Sequence, residues 1–148
     1  MRTEDVAAAI REVADAVIVP RWRALGEGEV IEKTPGDIVT VADREAEVAL
    51  TGILLDSYPQ ALIIGEEATF ADPRALTGLP GAAHAFVVDP VDGTKNFAAG
   101  SSDFGVMVAE TRHGVTTRAW IWQPIHERLY TAERGAGVRL NGEALGLI

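Results

Sequence analysis

Three short apolar runs that each end in carboxylates constrain this chain more than any other feature. They are Asp37-Ile38-Val39-Thr40-Val41-Ala42-Asp43, Ile64-Gly65-Glu66-Glu67 and Val87-Val88-Asp89-Pro90-Val91-Asp92-Gly93-Thr94. Acids gathered at strand ends repel one another unless a cation lies among them. A fold that brings the three ends together therefore calls for an ion. The chain has no cysteine and the clusters hold no histidine, so the donors are oxygens and the ion is a hard one, Mg²⁺, Mn²⁺ or Ca²⁺. In the third cluster, Asp89 ends an apolar strand and Pro90 withdraws a backbone donor, which should stop the ladder. Asp92 is placed to cap a short helix opened by Gly93 and Thr94, whose N–H groups would face a phosphate beside the ion. Taken singly, each cluster reads most simply as a turn. The argument rests on all three together.

The rest of the pattern supplies a frame for them. Val6, Ile10, Val13 and Val17 fall on one helical stripe within Thr3 to Leu25, with Thr3 as candidate cap and Pro20 expected to kink or restart the helix. Val30 and Ile31 are the apolar content of a loop and short strand between Gly26 and Gly36, and Ile38 to Val41 is a β-branched strand. A second helix runs from Asp43 through Val48, Leu50 and Ile53 to Leu55 and stops before Tyr58-Pro59. Ala61 to Ile64 reads as a strand, and Ala68 to Ala82 as a loop. His84 to Val88, Phe104 to Glu110, Val115 to Trp122, Arg128 to Ala132 and Val138 to Leu140 read as strands with short connections, hence an antiparallel meander. Helices first and strands later predict an α+β fold: two amino-terminal helices packed on an antiparallel sheet.

Composition narrows the function classes. A chain of 148 residues, 47% hydrophobic and 24% charged, suits one globular domain, residues 1–148. Thirteen basic against 22 acidic residues give a net charge of −9, which disfavours a nucleic-acid partner. The absence of cysteine excludes a disulfide scaffold and a thiolate site. No apolar run approaches the roughly 18–20 residues of a membrane span, and Met1 to Asp5 lack the basic start and apolar stretch of a secretory signal. A cytoplasmic protein with no membrane partner is the expectation. His84, His113 and His126 share no metal spacing, Ser101-Ser102 lacks a nucleophile-elbow context, and Trp120 and Trp122 share one strand face as core or subunit interface.

The order and wording of the acidic clusters resemble the inositol monophosphatase family of metal-dependent, lithium-sensitive phosphatases. Beyond those clusters, the likeness extends to Thr94-Lys95-Asn96-Phe97 and, more loosely, to Tyr130-Thr131-Ala132-Glu133-Arg134-Gly135-Ala136-Gly137 and Leu140-Asn141-Gly142. It implies the first half of an αβαβα sandwich and a Mg²⁺-dependent phosphomonoesterase that hydrolyses a small phosphate monoester, inositol phosphate by default. Histidinol phosphate, fructose bisphosphate and phosphoadenosine phosphate are alternative substrates.

Residue by residue, the resemblance assigns Glu66, Asp89 and the Val91 carbonyl to a first Mg²⁺, and Asp89 and Asp92 to a second. Asp43 and Thr94 would orient and deprotonate the attacking water, assisted by Glu66. Asp92, Gly93 and Thr94 would surround the substrate phosphate. Lys33 lies near a family lysine at a spacing that is off by one, and the resemblance gives it no role. The family's second half carries a Trp-Asp motif whose Asp completes the second metal site. Here Trp22, Trp120 and Trp122 precede Arg23, Ile121 and Gln123, and the chain closes on Gly146-Leu147-Ile148 directly after the last expected strand. The expectation is an amino-terminal catalytic half with the carboxy-terminal half absent, an incomplete second Mg²⁺ site and a tendency to form homo-oligomers. The rival expectation is a truncated metal-binding or partner-pairing domain with little catalysis.

Overall fold

The structure is a computed structural model and describes residues 1–146. Leu147 and Ile148, on which the expectation of an uncapped last strand partly rests, lie outside the described residues. The first helix, α1 (Thr3–Val13), buries Val6, Ile10 and Val13 along the expected stripe. Pro20 cannot donate to an α-helical ladder and crowds the carbonyl four residues back. The chain accordingly widens to a π-turn over Ala14–Ile18 and tightens to a 3₁₀ turn over Val19–Arg21. Arg21 Nη1 reaches back to the Val17 carbonyl at 3.0 Å.

Thr3 does not cap α1. Arg2 is the N-cap, its N–H donating to Asp5 Oδ2 at 2.9 Å. The Thr3 hydroxyl donates instead to Glu133, while its carbonyl accepts Trp120 Nε1 at 2.9 Å. Tertiary partners have taken a residue whose local preference is to cap.

A two-stranded ribbon, β1 (Val30–Thr34) and β2 (Asp37–Thr40), leads into α2 (Val41–Ser57). Next come β3 (Leu62–Gly65), a six-residue α3 (Glu66–Ala71), β4 (Ala85–Asp92) and a short α4 (Thr94–Ala98). The expected loop from Ala68 thus begins inside α3, a helix too short to show a period. Strands β5 (Gly105–Arg112), β6 (Val115–Gln123), β7 (Arg128–Glu133), β8 (Gly137–Leu140) and β9 (Glu143–Ala144) complete a seven-stranded sheet in sequential order. The sheet is antiparallel from β4 onward, and β3 joins β4 in parallel. The α+β architecture stands as expected.

Both helices cover one face of the sheet. Ala7 and Ile10 of α1 and Ala46, Leu50 and Leu54 of α2 share a core with Phe86, Val88, Val106, Val108, Trp120 and Trp122. Truncating Leu50, fully buried here, to Ala would cost about 2–5 kcal/mol. The alternate residues point to the other face, where two rows run across the register. One row is Val87, Ala109, Ala119 and Ala132; the other is Asp89, Met107, Ile121, Tyr130 and Leu140. All nine are only half-buried. Among the described residues, no helix is long and apolar enough to cross a membrane.

Candidate metal centre

Strand β4 departs from expectation where the chemistry is densest. Pro90 does not stop it: β4 continues to Asp92. Its parallel neighbour β3 ends opposite Val88, so no donor is required of Pro90 on that side. On the other side Asp89 pairs with Met107 and Asp92 with Gly105, so β4 carries one residue more than β5 between these pairs. This is a β-bulge, a device that re-aims side chains next to functional sites. Nor does Asp92 cap α4. Gly93 is the N-cap at φ 83°, and no side chain caps the helix. A Cβ on Gly93 would also lie 3.0 Å from the Asp103 carbonyl, so both conformation and space call for glycine.

Thr40 ends β2 and caps α2 in a capping box with Asp43, whose Oδ2 accepts from Thr40 N at 3.0 Å and from Thr40 Oγ1 at 2.6 Å. The other oxygen, Asp43 Oδ1, lies 2.8 Å from Thr94 Oγ1, which is also 3.0 Å from the Val91 carbonyl. A hydroxyl has one proton to give. If the Val91 carbonyl serves a cation, that proton goes to Asp43. Burial raises Asp43 above the ordinary carboxylate range against the pull of these hydrogen bonds.

Asp89 lies within electrostatic reach of Asp43, Glu66 and Asp92. Its Oδ1 is buried without a hydrogen-bond partner. Burial, then the neighbouring carboxylate of Glu66, then the charges of Asp92 and Asp43 push it up to about 8. A buried carboxylate oxygen with no donor, surrounded by other carboxylates, is what an ion of hard character would satisfy. The oxygens that the family resemblance assigns here, those of Glu66, Asp89, Asp92 and the Val91 carbonyl, would suit Mg²⁺. Glu66 and Asp92 are exposed, leaving the centre open to solvent. Among the described residues no three acidic or histidine side chains are gathered tightly enough to hold an ion by themselves.

Two residues without a sequence-derived role belong to this region. The Lys33 side chain is 6% exposed, and its Nζ sits 3.3 Å from Glu67 Oε1 and 4.0 Å from Asp37 Oδ2. Burial would lower its pKa, but Glu67, Asp37 and Glu66 outweigh that and raise it. Lys33 sits where the β1–β2 ribbon shifts register, between Glu32 and Thr34. Glu47, one turn beyond Asp43 on α2, is buried, and its carboxylate accepts the N–H groups of Glu67 and Ala68 at 2.8 and 3.0 Å. Its i+4 spacing from Asp43 was the available signal. The residues set aside as ordinary do pair elsewhere: His84 lies 2.9 Å from Glu110 and His126 2.8 Å from Asp103. Trp120 and Trp122 are core.

The sequence matches the Inositol monophosphatase family over residues 2–147. It is 39% identical over 117 residues to an inositol-1-monophosphatase of Rhizobium meliloti (strain 1021), covering 79% of this chain and 42% of that protein. It is 38% identical over 116 residues to the Nus factor SuhB of Pseudomonas aeruginosa, covering 78% of this chain and 41% of that one. The crystal structure of the extragenic suppressor protein SuhB from Bartonella henselae superposes with a TM-score of 0.84 at 28% identity, over 99% of this chain and 55% of the other. The chain spans about half the length of the relatives it matches.

Proposed function

The chain belongs to the inositol monophosphatase family, and we propose that it is the amino-terminal, catalytic half of a Mg²⁺-dependent phosphomonoesterase. The substrate is a small phosphate monoester, with inositol phosphate the first candidate. Glu66, Asp89 and the Val91 carbonyl would hold one Mg²⁺, and Asp89 with Asp92 a second that lacks a ligand from this chain. When bound, the ions supply charge neutralisation for the transferring phosphoryl group and the departing oxygen. The hydroxyl of Thr94 and the carboxylate of Asp43 orient a water, and its proton passes toward Asp43. The water oxygen bonds to phosphorus as the ester P–O bond breaks, and the departing oxygen takes up a proton in exchange for the one left toward Asp43, giving inorganic phosphate and the alcohol. Gly93 and Thr94 offer the uncapped N–H groups that open α4 to the phosphate oxygens, beside Asp92.

The observation that supports this reading best is the orphaned Asp89 Oδ1 beside the 2.8 Å Thr94–Asp43 pair. The test is phosphate release from inositol phosphate with and without Mg²⁺, by residues 1–148 alone and after addition of a family carboxy-terminal half. Release that depends on Mg²⁺ and on the added half supports the reading; no release in any arm overturns it. A second reading, a partner-pairing domain with little catalysis, draws on the relatives named Nus factor SuhB. It predicts Mg²⁺ binding without turnover even in the reconstituted protein.

A further inference from the structure

We propose that Glu47 is a positioning residue for the metal centre: it anchors the first turn of α3 so that Glu66 faces Asp89. The inference rests on the metal reading above. The carboxylate of Glu47 is buried, and among the described residues its hydrogen-bond partners are the backbone N–H groups of Glu67 and Ala68. A carboxylate is costly to bury, and hydrogen bonds from groups that begin a helix are among the arrangements that offset the cost. Those two amides directly follow Glu66. On its other side Glu66 is fixed by the pairing of Gly65 with Val88, one residue before Asp89. The backbone of Glu66 is therefore clamped from both directions, and one clamp is Glu47.

Gly65 makes the contact possible. A Cβ at that position would overlap the Glu47 carboxylate. Because the carboxylate ends a flexible side chain, it could swing away, and in doing so it would give up both amides. Asp43 and Glu47 lie one turn apart on α2. One rigid helix thus fixes the Thr94 side of the centre through Asp43 and the Glu66 side through Glu47. Groups that orient metal ligands from behind typically matter about 10–100-fold in metal affinity.

The experiment compares the full chain with Glu47→Gln, Gly65→Ala and Asp89→Asn, using Mg²⁺ alone as the probe. Calorimetric titration gives affinity, amide exchange at Glu67 and Ala68 in metal-free protein reports the clamp, and thermal melting reports the fold. Glu47→Gln keeps the shape but not the charge, and Gly65→Ala leaves Glu47 in the sequence while displacing it. Both should melt cooperatively, exchange those two amides faster and bind Mg²⁺ about 10–100-fold more weakly. Mg²⁺ binding that Asp89→Asn abolishes but Glu47→Gln and Gly65→Ala leave unchanged overturns the proposal alone. A wild-type chain that binds no Mg²⁺ overturns the metal reading and the proposal with it. Unfolding of Glu47→Gln also overturns it, since Glu47 would then support the fold as a whole.

Discussion

Thr94 and Asp43 stand 51 positions apart in the chain, yet their side chains meet at 2.8 Å, Oγ1 to Oδ1. The contact joins the start of α4 to the first turn of α2 and is held from behind by the capping box of Thr40. Asp43 is fully buried, so its free lone pairs are directed by these bonds rather than by solvent.

The first prediction tests that pair. Thr94→Ala removes the hydroxyl while the Val91 carbonyl, Asp89 and Glu66 remain. Mg²⁺ affinity should stay near wild type. Turnover of the reconstituted phosphatase should fall by about 10²–10⁴-fold, the usual contribution of a positioned proton acceptor. Steady-state phosphate release beside Mg²⁺ calorimetry checks it, and unchanged turnover removes Thr94 from the reaction.

A second prediction concerns Asp89. Its unpartnered oxygen and the carboxylates around it resist ionisation in the metal-free chain, and a bound cation would reverse that. Asp89→Asn should abolish the rise in melting temperature caused by Mg²⁺, with little loss of melting temperature in the absence of metal. An undiminished Mg²⁺ shift in this variant would show that the ion sits elsewhere.

The third prediction lies at the opposite end of β4 and β5. Glu110, 2% exposed, receives Arg118 Nε and Nη2 at 2.8 Å each and lies 2.9 Å from His84. Burial alone would raise its pKa, but Arg118, His84 and Thr117 outweigh it and hold the carboxyl at about 2, down from 4.5. A lowered folded-state pKa stabilises above the unfolded value, and that stability is lost as pH falls through the window from 4.5 to about 2. Denaturant unfolding of wild type should therefore weaken more steeply over this window than that of Glu110→Gln. The variant should be less stable at neutral pH by about 1–3 kcal/mol, because half-buried Arg118 loses its carboxylate partner but keeps Met1, Thr3 and Tyr58 as acceptors. Parallel pH curves would contradict the assignment.

What could be read from the sequence was what neighbouring residues decide among themselves. The stripe of Val6, Ile10 and Val13 reports a buried helix face because period and burial are locally linked. Strands β5 to β8 are legible because alternation and turn residues such as His113-Gly114 bracket them. The acids proposed for the site are visible in the sequence because they stand in short runs. Thr3 was misread because its partner, Glu133, is 130 positions away, and no local rule sees that distance. Pro90 was misread because its cost depends on where β3 ends. α3 was missed because six residues held by Glu47 from another helix carry no period of their own. Lys33 carries no motif signal and Glu47 only its i+4 spacing from Asp43; their meaning is the distance to Glu67 and to two amides, which exists only after folding.

The last prediction follows from which face of the sheet Asp89 occupies. Asp89 shares the half-buried side with Met107, Ile121, Tyr130 and Leu140, away from α1 and α2. Whatever layer covers those apolar residues would also approach the proposed metal centre, so sheet cover and the ligand that the proposed second Mg²⁺ site lacks should arrive together. Isolated residues 1–148 should then bind about one Mg²⁺ tightly, since three protein oxygens with waters can complete one octahedral shell. They should release phosphate poorly and self-associate through the uncovered face. Adding a family carboxy-terminal half should restore a second Mg²⁺ and turnover while reducing self-association. Calorimetry, phosphate release and sedimentation on the same samples read all three. Tyr130→Lys, a charge in the middle of that face, should keep the isolated chain folded and soluble while blocking reconstitution. Two tight Mg²⁺ sites with ordinary turnover in the isolated chain would mean that its own acids complete the centre and that the open face has no part in catalysis.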